Sequence, residues 1–146
     1  MKVVILAGGF GTRIRDVSED IPKPMIEIGS VPILLHIMKY FSYFNYKEFI
    51  ICLGYKGNII RDYFINYRLY TENLTIDFSN NDQILFNKKK SDIDWKVTMV
   101  NTGINSMTGA RINKIKDYVG KEDFFITYGD GVGDINLNEL LNLHNS

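Results

Sequence analysis

The stretch Val3-Val4-Ile5-Leu6-Ala7, followed at once by Gly8-Gly9-Phe10-Gly11-Thr12-Arg13, decides how the rest of the chain is read. An unbroken apolar run of this length predicts a strand buried on both faces, as in a parallel sheet. The glycines that follow let the backbone approach a ligand with no Cβ in the way. Successive N–H groups in such a turn can converge on an anion. Arg13 adds a permanent cation whose fork of donors suits phosphate. Strand, glycine turn and cation together predict a phosphate cradle at the carboxyl end of a central strand. Two familiar phosphate motifs do not fit. A dinucleotide G-x-G-x-x-G read from Gly9 would need glycine where Ile14 stands, and no Gly-Lys-Ser/Thr closes a Walker A loop.

Working outward, Ile21-Pro22-Lys23-Pro24-Met25 holds a lysine between two prolines. Each ring fixes its own φ and restricts the residue before it. The stiff backbone reduces the entropy Lys23 loses on gripping a ligand. Val31-Pro32 predicts a helix start, with Ile33, Ile37, Phe41 and Phe44 at helical spacing. Phe49-Ile50-Ile51-Cys52-Leu53 reads as a second buried strand. A helix is then expected from about Asn58, with Ile60, Tyr63, Phe64 and Tyr67 on its apolar side. Leu74-Thr75-Ile76-Asp77-Phe78 reads as a third strand. Residues 79–94 are polar and charged and are expected to hold a short hairpin or a mobile insertion. Trp95 to Val100 alternates as a half-buried strand. Thr108 opens a helix carrying Ile112, Ile115 and Val119 and closed by Gly120. Asp123 to Tyr128 is another buried strand, ending in Gly129-Asp130-Gly131. Asn136 and Glu139 form a capping pair for a last helix.

Helices between buried strands predict an α/β fold with a mostly parallel sheet and helices on both faces. Such sheets bind ligands beyond the carboxyl ends of their strands, where the glycine loop, Lys23 and Asp130 all fall. Asp130, an acceptor-only carboxylate with a glycine on each side, suits Mg²⁺ shared with substrate phosphate oxygens. A turn aspartate bonding its own backbone is the alternative. His36 and the lysines 88–90 read as structural or solvated, and Cys52 as inert core.

The 146 residues fit one domain, 1–146, and the 45% hydrophobic content is that of a globular chain. Seventeen basic and seventeen acidic residues cancel, which argues against nucleic acid as a partner. One cysteine excludes an internal disulfide framework. No run is long enough to span a membrane, and Met1-Lys2 leads straight into a strand. The expectation is a cytoplasmic protein with no signal peptide.

These residues carry a resemblance. Leu6 to Arg13 with Pro22-Lys23-Pro24-Met25 resembles the signature of sugar-phosphate nucleotidyltransferases. Ile33 to Lys39, Gly54-Tyr55-Lys56-Gly57, Met107 to Arg111 and Thr127 to Val132 resemble the glucose-1-phosphate cytidylyltransferase branch, and the likeness runs from Met1 to about Leu141. It implies a Rossmann-like three-layer fold, incomplete at the C-terminus. It implies nucleotidyl transfer from CTP to glucose-1-phosphate, giving CDP-glucose and pyrophosphate, with Mg²⁺ as cofactor. By the same resemblance, Leu6, Ala7, Gly8, Gly9, Phe10, Gly11 and Thr12 wrap the nucleotide, and Arg13 and Lys23 hold the triphosphate. Ser106, Thr108 and Arg111 line the base and ribose side. Asp130 binds the metal, and Arg13, Lys23 and Asp130 are the catalytic set.

The chain departs from the family in two ways. Ala110 replaces the second glycine of Thr-Gly-Gly-Arg, so its methyl either crowds the nucleotide or improves the helix start. Family members are also substantially longer. Their later half supplies a second metal carboxylate, a lysine for the sugar phosphate and most of the sugar pocket. Two alternatives therefore stand beside the full reaction: a CTP- and Mg²⁺-binding module with little or no turnover, and a transferase for another base. A homo-oligomer or a complementing C-terminal half remains open.

Overall fold

The computed structural model describes residues 1–10, 20–86 and 93–146. In chain order, β1 is Lys2–Leu6, and a 3₁₀ turn at Lys23–Met25 precedes the two-residue strands β2 (Glu27–Ile28) and β3 (Val31–Pro32). Then come α1 (Ile33–Tyr43), β4 (Glu48–Leu53), α2 (Gly57–Ile65) and α3 (Tyr67–Thr71). β5 (Leu74–Asp77), β6 (Gln83–Phe86) and β7 (Lys96–Asn101) follow. The remainder is α4 (Thr108–Lys114), α5 (Lys116–Val119), β8 (Phe124–Tyr128) and α6 (Leu137–Asn145).

The main sheet has strand order β7-β4-β1-β8, and all its pairings are parallel. Alternation along β1 explains the layering. Val3 and Ile5 point to a face covered by Leu34, Ile37, Met38 and Phe41 of α1, Ile60 of α2 and Leu137 of α6. Val4 points to the opposite face, where Ile50 and Cys52 meet Ile115 and Val119. The expected three-layer α/β architecture is present, and the central run is buried because both of its faces are covered.

Several local expectations need correction. Leu74–Asp77 does not join the parallel sheet. It pairs antiparallel with β6 in a separate hairpin. Its residues are half-buried or exposed, and none of them belongs to either core cluster. The Asp77 carboxylate accepts from the Ser79 N–H at 2.9 Å, an Asx turn that starts the reversal. The lysines 88–90 lie outside the described residues. The helix expected to start at Val31-Pro32 does so, with Pro32 as the N-cap of α1 beside its first residue, Ile33. The helix expected from Thr108 to Val119 is broken at Ile115, whose side chain is fully buried. His36 is structural: its Nε2 donates to the Ile28 carbonyl at 2.9 Å. Asn136 does cap α6, its side-chain oxygen accepting from the Asn138 and Glu139 N–H groups. Among the described residues no helix is long and apolar enough to cross a membrane.

Candidate functional site

Successive crossovers carry the chain from β1 outward to β4 and β7, then back to β8 on the other side of β1. Neighbouring loops at such a reversal leave in opposite directions, which opens a crevice beyond the strand ends. A pocket of about 470 Å³ lies there. Leu6, Ala7, Gly8, Gly9 and Phe10 form one wall, and Lys23, Pro24, Tyr128 and Asp130 another. Ser106, Thr108 and Arg111 supply the third. Gly11, Thr12 and Arg13 lie outside the described residues. Every other residue the sequence nominated borders this one pocket.

The pieces are brought together by close backbone approaches. Gly129 N–H donates to the Leu6 carbonyl at 2.9 Å, extending the β1–β8 ladder by one step. A Cβ on Gly129 would stand 3.1 Å from Pro24 and 3.3 Å from Ala7. Glycine thus lets the end of β8 press against the Pro22–Pro24 segment, and Asp130 follows next to Lys23. The Lys23 ammonium lies 4.0 Å from the Asp130 carboxylate. The lysine is mostly buried while the aspartate stays about half exposed. Pro22 is buried, and its carbonyl accepts from Met25 N–H at 2.8 Å, so the turn that carries Lys23 is tied down.

Metal chemistry fits one feature of this wall. Asp130 is a carboxylate with access to the pocket, and Mg²⁺ commonly takes one or two carboxylates plus phosphate oxygens and water. Among the described residues no cluster of three His, Cys, Asp or Glu side chains could hold an ion unaided.

Arg111 is placed differently from a free ligand-binding cation. It lines the pocket, yet it is only 6% exposed. Its Nη1 donates to Thr102 Oγ1 at 2.7 Å, and its Nη2 donates to the Gly8 carbonyl at 2.9 Å. Burial pushes its pKa below the ordinary arginine value. Thr102, also buried, donates its hydroxyl to the Leu53 carbonyl at 2.7 Å. Ala110 is exposed on α4 and does not border the pocket, so its methyl does not crowd it. The sequence reading gave no role to Thr102 or Lys114 and did not foresee that Gly129 packs against Pro24 and Ala7. Thr102 stands in a Thr-Gly step and Gly129 in a Gly-Asp-Gly triplet, each just past a predicted strand end, while Lys114 had no signal. Cys52 is buried core, as expected, and burial raises its thiol to about 11.

With this geometry in view, the relatives can be compared. The chain matches the Nucleotidyl transferase family over residues 2–146. It belongs to that family. It is 46% identical over 145 residues to glucose-1-phosphate cytidylyltransferase of Salmonella typhimurium, covering 99% of this chain and 56% of that protein. A D-glycero-alpha-D-manno-heptose 1-phosphate guanylyltransferase of Campylobacter jejuni is 31% identical, with 96% of this chain and 52% of that protein covered. Among solved structures, HddC from Yersinia pseudotuberculosis complexed with GMP-PN superposes with a TM-score of 0.68 at 28% identity. That alignment covers 97% of this chain and 53% of the other. The chain therefore spans about half the length of these relatives.

Proposed function

We propose that this chain is the CTP-binding half of a glucose-1-phosphate cytidylyltransferase. In that reaction a phosphate oxygen of glucose-1-phosphate attacks the α-phosphorus of CTP. The new P–O bond forms CDP-glucose, and the α–β bridging bond breaks with its electron pair leaving on pyrophosphate. The observation that carries the reading is the pocket at the β1/β8 reversal, where the glycine turn, Lys23 and Asp130 meet. The identity to the Salmonella typhimurium cytidylyltransferase supports cytosine over another base.

Each residue's work follows from its chemistry. Gly8 and Gly9 present backbone to the triphosphate. The Lys23 ammonium neutralises phosphate charge. At about 4 Å such a pair gains roughly 4 kcal/mol at an effective dielectric of 20, before desolvation is subtracted. Arg13 is assigned the same task. Ser106 and Thr108 border the base and ribose side. Asp130 would hold Mg²⁺, which when bound polarises the phosphates and offsets their charge. In-line transfer needs positioning above all. The family resemblance assigns most of the sugar pocket to the length that this chain does not span. The chain alone is thus assigned CTP binding with feeble turnover, in the cytoplasm.

Calorimetric titration with CTP, UTP and dTTP, with and without Mg²⁺, tests the nucleotide. CTP is expected to bind most tightly and to need the metal, and equal weak binding of all three sinks the cytidylyl reading. Pyrophosphate release in the presence of glucose-1-phosphate is expected to be near background, and robust turnover would show that these 146 residues hold a complete site.

A further inference from the structure

Beneath the pocket one guanidinium joins the ends of three neighbouring parallel strands. Arg111 donates to Gly8 O just past β1, to Leu53 O at the end of β4 at 3.3 Å, and to Thr102 Oγ1 and Ile104 O just past β7. Three residues on along α4, the Lys114 ammonium donates to the Thr102 carbonyl at 2.9 Å and to Ser106 Oγ at 3.1 Å. Among the described residues no carboxylate forms an ion pair with either cation. Their partners are carbonyls and hydroxyls of the pocket's own loops.

The glycine pattern follows the same guanidinium. A Cβ on Gly8 would stand 2.2 Å from Arg111 Nη1, and one on Gly54 would stand 2.7 Å from it. Gly103, at φ +91°, would bring a Cβ within 3.2 Å of Lys114 Nζ. A Cβ on Gly54 would also stand 2.5 Å from the Gly8 carbonyl oxygen, and one on Gly8 2.9 Å from the Gly54 nitrogen, so the ends of β1 and β4 close on each other and on Arg111, independently of any phosphate above. Holding the Gly8 carbonyl down has a geometric effect. A trans peptide sets the Gly9 N–H opposite the Gly8 C=O, so that donor is turned away from Arg111. Tyr55 N–H, which donates to the same Gly8 carbonyl at 3.2 Å, locks the peptide a second time. Burying a cation without a carboxylate is costly, and charge-assisted bonds to several carbonyls offset the cost only in a fixed arrangement.

We infer that Arg111 and Lys114 are positioning residues, which from one helix set the Gly8 turn and the 102–106 loop in their ligand-binding shape before a nucleotide arrives. This deepens the CTP reading and rests on it for the identity of the ligand. The test is amide hydrogen exchange on the ligand-free protein, followed by CTP titration. Arg111→Ala should speed exchange at Tyr55, whose N–H is bonded to the Gly8 carbonyl, and lower CTP affinity roughly tenfold or more. Lys114→Met should speed exchange at Gly103, whose N–H is bonded to Asn101 Oδ1, and weaken CTP less. Arg111→Lys restores the charge but not the fork, and exchange at Tyr55 should stay fast. Lost CTP affinity with unchanged ligand-free exchange would overturn the inference, because Arg111 would then act only by touching the nucleotide. Restored protection by lysine would overturn the fork. Should Arg111→Ala fail to fold, Thr102→Val keeps the arginine and removes the hydroxyl that seats its Nη1; accelerated exchange at Tyr55 supports the clamp and normal exchange overturns it. If native protein binds no CTP, the nucleotide reading falls, while the exchange results still decide the clamp.

Discussion

The two faces of the sheet are built unequally. One buries fourteen residues, including Phe41, Phe49 and Phe125, under α1, α2 and α6. Tyr46 and Trp95 pack at its margins, their rings 4.7 Å from Phe125 and 5.6 Å from Phe49. The other buries five: Val4, Ile50, Cys52, Ile115 and Val119. Its cover is two short helices, and the first of them carries Arg111. The thick face supplies most of the apolar burial that folds the chain. The thin face holds the cations that shape the pocket. Stability and site geometry thus rest on different layers of one sheet.

The largest expected effect separates them directly. Phe49→Ala on the thick face should cost about 3–5 kcal/mol in urea unfolding, while the fraction that remains folded keeps its CTP affinity. A parallel loss of affinity would show that the faces are not separable. The second effect is a pH dependence. Cys52 in the fold has its thiol raised from 9.0 to about 11, chiefly by burial and against the opposing pull of Arg111. The unfolded thiol ionises first, so this contribution is complete below pH 9 and is lost as pH climbs from 9 to 11. Tyr63 and Tyr67 are also raised by burial and add to the alkaline loss. Cys52→Ala should flatten the fall in the urea midpoint over pH 9–11 in part, leaving the tyrosine share. An unchanged slope would remove Cys52 as a source. The smallest effect is the sharpest comparison. Ile115→Val and Ile37→Val should each cost about 0.5–1.5 kcal/mol. Only the first, which seats α4, should weaken CTP binding.

The parts legible in sequence were those with local causes. Val3 to Ala7 and Phe49 to Leu53 are apolar throughout because both faces are covered, and such runs announce themselves. Lys23 between prolines and Asp130 between glycines marked rigid or open backbone wherever the chain went. Leu74 to Phe78 misled because alternation shows a strand's faces but not its partner. The burial of Arg111 was unreadable from its neighbourhood, since arginine is almost never fully buried without a partner. Its acceptors lie far away in sequence, at Gly8, Leu53 and Thr102. Glycines at both 8 and 54 find their reason only in the structure, where the two strand ends close on each other and on its guanidinium.

The position of β1 has a consequence for synthesis. β1 pairs with β4 across fewer than 50 residues but with β8 across about 120, Lys2 lying against Phe124. As the chain emerges from the ribosome, β1 is made well before β8, and one of its edges stays bare meanwhile. That edge is filled only when β8 arrives, bringing Gly129 and Asp130 with it. Long-range parallel pairing of this kind is slow and leaves unpaired backbone exposed meanwhile. The nucleotide pocket therefore closes only once β8 is made, about 120 residues after the glycine turn that begins it.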